Sequence, residues 1–299
     1  MASHLKNVSR APDPAGPTSV QSPLPAYADA SSAASPSPKP DKPKRSKSRI
    51  ISNILIALGI ILLLVAAGMW GYAQWQYGQQ DQENEKLAEY ATVSDDASTA
   101  PVIDWATLKA TYPDVVGWIY VPGTVINYPV FQSSDNDHYL NTNADGIYGV
   151  GGQIFMDYQN TAPGMVDQQT IIYGHHLKNG SMFKQVADMA DQGFFDSITT
   201  VWYCTEAQNY ELEPLLVYYT NPDDQNVRRF SFTSQEEFRT YLDGLLGSSV
   251  AHVGSADSII GGASHALTLS TCNYIDGYGR TILVCVPKSE ANAALNATS

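Results

Sequence analysis

Three side-chain types in this 299-residue chain could combine into covalent chemistry: a thiol, an imidazole and a guanidinium. A cysteine attacks as its thiolate, a histidine moves the proton, and an arginine holds developing negative charge with a rigid fork of donors. Cys272 ends the run ALTLSTC (266–272). Alternation along a strand puts Leu267, Leu269 and Thr271 on one face and Thr268, Ser270 and Cys272 on the other. The leucines assign the first face to the core, so the thiol sits at a strand end beside hydroxyls. Asn273–Gly279 carries two glycines and reads as a hairpin loop, which returns Arg280 to the side of Cys272. Cys285 has the opposite parity to Arg280 and reads as a small core residue.

Six histidines are available. His4 lies in a Pro/Ser/Ala-rich stretch, and His138, His252 and His265 have no special context. His175 and His176 follow the apolar run TIIY and Gly174. Neighbours at a strand end point in different directions, so the pair suits proton transfer by one member better than metal ligation by both. No other spacing suggests zinc.

The elements that must bring these residues together are mostly strands. After Pro113 short β-type runs are bounded by Gly, Pro, Asn and Asp: 115–121, 125–131, 152–156, 170–173, 199–204, 212–219, 266–271 and 281–286. Eight such runs predict a barrel or sandwich. Asp104 is placed to cap a short helix ending near Thr111. A second helix is expected around Ser181–Met189. A third is expected over Gln235–Leu246, opened by Ser234-x-x-Glu237, with Phe238, Tyr241, Leu242 and Leu245 as its buried face.

Charge divides the chain. Residues 1–50 carry a formal +5 and the remainder −18, within a net −13. The acidic body excludes nucleic-acid binding, which needs a basic footprint. Residues 8–48 have little apolar periodicity and read as disordered. The uncharged run Ile50–Trp70 would make a helix of about 31 Å, one hydrocarbon thickness. The basic cluster before it predicts a cytoplasmic N-terminus, and Trp70, Tyr72, Trp75 and Tyr77 read as an interfacial aromatic belt. A cleaved signal peptide is the competing reading, disfavoured by the long preceding tail. The organisation expected is therefore a basic cytoplasmic tail (1–49), a membrane helix (50–72), a stalk (73–101), a folded domain (102–288) and a disordered C-terminal tail (289–299). Three cysteines are too few for a disulfide scaffold, and a Cys204–Cys285 bond is left open.

TLSTC with Arg280 eight residues on resembles the active-site motif of sortases, and YGHH followed by MF (173–183) resembles the class B histidine segment. Pro113–Leu140 and the helix inserted late among the strands are also similar to class B. The resemblance spans about Val102–Lys288. It implies a mainly β fold: an eight-stranded sortase-type β-barrel with a short N-terminal helix and an inserted helix between late strands, behind one transmembrane helix. It selects His175 over His176 as the catalytic histidine beside Cys272 and Arg280. Ser270, Thr271 and Tyr218 are expected in substrate binding, and no metal or organic cofactor is expected. Some class B members carry an acid two positions after the cysteine. Tyr274 stands there in this chain and Asp276 is the nearest acid, so no third catalytic acid is assigned.

The activity implied is acyl transfer in two steps, from a C-terminal sorting motif of a secreted protein to a primary amine, through a thioester on Cys272. The acceptor would be a peptidoglycan precursor or, in a pilus-polymerising enzyme, a pilin lysine; the other expected partner is membrane lipid. A surface cysteine protease and a non-enzymatic binding module are the alternatives from other classes.

Overall fold

The computed structural model describes residues 47–273 and 279–298. Residues 1–46 of the expected N-terminal tail and the centre of the 273–279 loop, including Tyr274 and Asp276, lie outside the described residues.

The described residues open with helix α1 (Lys47–Ala88), which runs without a break from the apolar segment into the segment expected as a stalk (73–101). A two-stranded ribbon follows, β1 (Ala91–Thr92) with β2 (Val102–Ile103), and then α2 (Trp105–Thr111). Asp104 caps α2 as expected, accepting from the Thr107 N–H at 3.1 Å. The main sheet comprises β3 (Val115–Tyr120), β4 (Asn127–Phe131), β5 (Ile154–Met156), β6 (Gln169–Tyr173), β7 (Val201–Cys204), β8 (Asn209–Thr220), β9 (Ser249–His252), β10 (Ala266–Cys272) and β11 (Arg280–Pro287). All eight expected strands form. The four-residue β9 was not anticipated.

Strand order is β11-β10-β6-β5-β4-β3-β7-β8, and β8 pairs back onto β11, which closes an eight-stranded barrel with β9 as an extra edge on β8. Two contacts are parallel, β10 with β6 and β4 with β5, and the rest are antiparallel.

Both faces of this barrel are covered. Inward residues at period two, among them Ile119, Val130, Ile172, Leu267, Leu269 and Leu283, form the interior cluster. Outward residues of β8, β10 and β11 are buried under α6 (Gln235–Leu246) and α7 (Ala256–Gly262). Outward residues of β3, β4 and β7, including Trp118 and Trp202, pack with Leu108 of α2 and Leu87 of α1. Short helices α3 (His138–Asn141), α4 (Lys184–Asp188) and α5 (Gln192–Ser197) fill connections. The expected Ser181–Met189 helix shrinks to α4 because Met182 holds a left-handed backbone (φ 58°).

Helix α6 has the expected bounds, and the Ser234 hydroxyl accepts from the Glu237 N–H at 3.1 Å. Glu237 does not close the box on Ser234; it accepts from the N–H and hydroxyl of Thr233 and from Arg229. Residues 288–298, read from sequence mostly as a tail, form helix α8 (Lys288–Thr298). Its Ala291 and Ala294 are buried, with Ala294 so close to Gly262 of α7 that a side chain there would collide. Glu290 accepts from the N–H groups of Ser264 and His265, which ties the helix down. Cys204 and Cys285 are buried free thiols in different clusters, which answers the open disulfide question. Burial raises the thiol of Cys204 to about 12 and that of Cys285 higher still, so neither is poised to react.

Candidate active site

Strand β10 leaves the barrel beside β11, and register sets Cys272 opposite Arg280. The Arg280 Nη1 lies 3.8 Å from the Cys272 Sγ. The hairpin is closed by the Asn273 N–H donating to the Gly279 carbonyl (3.0 Å), and the Gly279 N–H donates across to Thr220 of β8 (3.2 Å). Arg280 is therefore fixed between two strands.

The parallel pairing of β6 with β10 brings the histidines to the same place. Ser270 sits opposite Tyr173, and the Gly174 N–H donates to the Ser270 carbonyl at 3.1 Å. A side chain at 174 would meet Ile154 Cδ1 at 2.5 Å and the Phe183 ring at 2.6 Å, so only glycine allows this close passage. Beyond it the two histidines diverge. His175 lines a cavity of about 260 Å³ together with Cys272, Arg280 and Ser270. Its Nε2 donates to the Leu140 carbonyl at 2.6 Å. A carbonyl can only accept, so Nε2 carries hydrogen and Nδ1 is the nitrogen left for proton exchange. His176 donates from Nδ1 to the Cys272 carbonyl at 3.0 Å, tying down the strand that bears the thiol.

The cavity lies on the outer wall of the barrel. Ser270, Cys272, Arg280 and Ile282 all have outward parity, as the alternation of Ala266–Cys272 predicts. That face is not open, however: Thr268 and Ser270 are about 1% exposed. Thr268 donates to Gln169 Oε1 at 2.9 Å, and Gln169 in turn donates to the carbonyls of Val227 and Arg229.

Of the expected substrate-binding residues, Ser270 alone lines this cavity. Thr271 has inward parity, pairs with Thr281 and is fully buried. Tyr218 is on the outward face, opposite Ile282, but packs in the cluster beneath α6, and burial there pushes its phenol up. The inserted helix thus removes it from the cavity.

Sequence reasoning missed a network in the cavity wall. Asp157 follows β5, and its carboxylate is wholly buried. It takes a two-point contact from Arg228, Nε at 2.8 Å and Nη2 at 3.0 Å. The same carboxylate accepts from Tyr173 Oη (2.8 Å), Asn136 Nδ2 (3.0 Å) and the Gln159 N–H (3.0 Å). Burial alone would raise the Asp157 carboxyl, but Arg228 and the other donors hold it below the usual carboxylate range. Tyr173, Asn136 and Arg228 each line the cavity, so one buried charge fixes three of its walls. Tyr173 is within the YGHH motif; no spacing links Asp157 to Arg228, 71 residues away.

Among the described residues no cluster of His, Cys, Asp or Glu could hold a metal.

Comparison with known proteins gives one consistent picture. Residues 119–288 match the family model described as a sortase domain. Sortase B of Listeria monocytogenes is 33% identical over 241 residues, covering 76% of this chain and 95% of that protein. The crystal structure of sortase B from B. anthracis in complex with AAEK1 superposes with a TM-score of 0.59 at 29% identity, covering 71% of this chain and 98% of the other. A Staphylococcus aureus sortase B–substrate complex superposes at 0.54 with 28% identity, covering 61% and 83%.

Proposed function

The chain belongs to the sortase family, as a cysteine transpeptidase of the sortase B kind, and from that premise we propose that it joins secreted proteins to a primary amine at the cell surface through a thioester on Cys272. The observation that carries the reading is the shared cavity: Cys272 and Arg280 as cross-strand partners, with His175 in the same wall.

The proposed first step is attack of the Cys272 thiolate on a backbone carbonyl of a C-terminal sorting motif. The C–S bond forms, the C–N bond breaks, and His175 gives a proton to the departing amine from Nδ1. The guanidinium of Arg280 steadies the charge on the carbonyl oxygen. In the second step a primary amine attacks the thioester, its nitrogen bonds to the carbonyl carbon, the sulfur leaves, and His175 takes the proton back. Ser270 lines the groove beside the reacting bond. That S. aureus sortase B has been solved as a substrate complex supports a substrate-binding role for this cavity. A cell-wall amine fits the acceptor role; a pilin lysine would use the same chemistry.

Among the described residues one helix, α1, is long and apolar enough to cross a membrane. We place the basic N-terminal residues in the cytoplasm and the barrel outside.

The reading is tested by incubating the protein with a library of C-terminal peptides, with and without a short glycine peptide as amine, followed by mass spectrometry. The expected result is an acyl adduct on Cys272 and an amine-dependent ligated product. Hydrolysis unaffected by added amine would favour a protease, and no adduct would remove the enzymatic reading.

A further inference from the structure

Beyond its apolar run, α1 becomes part of the folded body. Tyr77, Gln80, Asn84 and Leu87 recur at spacings of three and four, as one helical face does. Tyr77 packs on the barrel's interior cluster and Leu87 in the cluster under α2. Buried Gln80 donates to Asn84 Oδ1 at 3.1 Å and reaches the Gly152 carbonyl at 3.5 Å. A side chain at Gly151 would strike Gln80 Cδ at 2.6 Å, so the helix lies directly on the backbone.

The same helix pins residues 143–150. Glu83 accepts from the Ala144 N–H at 2.8 Å and from Gln153 Nε2 at 2.6 Å, and Lys86 pairs with Asp145 at 3.4 Å. The segment is itself a tight turn. Thr142 bridges Tyr148, and the Asn143 side chain accepts from the N–H groups of Asp145 and Ile147. Its tip nevertheless presents two large apolar side chains to solvent, Ile147 at 63% exposure and Tyr148 at 73%. They line a cleft of about 630 Å³ with Tyr72 and Trp75 of α1, which are also exposed.

The level of this cleft follows from helix geometry. The apolar run ends at Trp70. A rise of 1.5 Å per residue sets Tyr72 about 3 Å and Trp75 about 7.5 Å beyond it. The headgroup layer on each side of a bilayer is roughly 5–7 Å deep. The cleft runs along α1 from Tyr72 to Lys86, and its end at Tyr72 and Trp75 lies at headgroup depth, where Tyr and Trp are favoured. Three charged residues line the cleft: Lys86 pairs with Asp145, and Glu83 accepts from the Ala144 N–H.

We infer that the 143–150 turn is a second membrane contact, with Ile147 and Tyr148 seated in the lipid headgroup layer beside the anchor helix. The inference rests on the anchor reading of α1. Two points of contact, both rigidly joined to the barrel, fix its rotation about the helix axis. The direction in which the Cys272 cavity opens relative to the membrane is then set by structure rather than left to a swivelling stalk.

The test uses the full chain with Cys272→Ala, so that the remaining native thiols are the buried Cys204 and Cys285. Ile147→Cys, Leu63→Cys and Val250→Cys are labelled singly with an environment-sensitive fluorophore. Each is reconstituted in phosphatidylcholine–phosphatidylglycerol vesicles carrying lipid spin-labelled at the headgroup or the acyl chain. Expected are strong acyl-chain quenching at position 63 and headgroup quenching at position 147 several-fold above that at position 250. Quenching at 147 no greater than at 250, with 63 still quenched, would overturn the second contact and leave the anchor standing. An unquenched label at 63 would overturn both.

Discussion

The two ends of β10 carry similar chemical groups and do different things with them. At the N-terminal end Ser264, His265 and Glu290 sit together, a composition that could pass for a hydrolytic triad. The Ser264 hydroxyl donates to Glu290 Oε1 at 2.6 Å, and the same oxygen lies 3.0 Å from His265 Nδ1. The carboxylate thus consumes the hydroxyl proton, and the histidine is bound through the nitrogen that also faces the serine (3.0 Å). The cluster is a clamp for α8. At the C-terminal end the carboxylate, Asp157, is bound to Arg228 and Tyr173, while Cys272, the proposed nucleophile, and His175 line the cavity. Residue types do not make a site; the difference lies in which groups are already committed to one another.

The largest effect that could break this comparison is on catalysis. Cys272→Ala should abolish the acyl adduct, whereas Ser264→Ala should leave ligation near the wild-type rate; an active Cys272→Ala or an inactive, folded Ser264→Ala would reverse the assignment. Arg280→Lys should lower kcat/KM roughly 100-fold or more, because a point charge does not reproduce the fork. Wild-type rates in that variant would make Arg280 structural.

Next comes the wall network. Asp157→Asn leaves the Arg228 charge facing a neutral amide in a buried setting and should cost about 3 kcal/mol of stability in denaturant unfolding. Turnover should fall as well, because the amide leaves one acceptor oxygen for donors that shared two, among them Tyr173, two residues before His175. An unchanged midpoint would show that the network is not structural.

The smallest effect belongs to the clamp. Burial alone would raise Glu290, but His265 and Ser264 hold it below its ordinary 4.5. Its contribution is present above that value and is lost as pH falls through the lowered one. Glu290 raises His265 above its ordinary 6.5. The histidine's contribution is present below 6.5 and is lost as pH rises through the raised value. Both groups are charged between about 4.5 and 6.5, and there the stability difference between wild type and His265→Ala should peak, at under about 1 kcal/mol for a partly exposed pair. A difference independent of pH would mean that the imidazole acts by packing alone.

Local pattern alone determined much of this protein. Short β-type runs and the turn residues between them marked all eight barrel strands, because each strand must end where the chain turns. The capping residues of α2 and α6 were readable for the same local reason, and hairpin geometry fixed Arg280 beside Cys272. The resemblance of TLSTC and YGHH to sortase motifs supplied the histidine. Only the tertiary structure decided the rest. The Asp157–Arg228 pair joins segments with no sequence relation, and long-range partners leave no periodic trace. Tyr218 was expected in substrate binding, but a helix from another part of the chain covers it. Docking of α8 depends on a carboxylate meeting two backbone N–H groups 25 and 26 residues away. Alternation says which way a side chain points, and folding decides what it finds there.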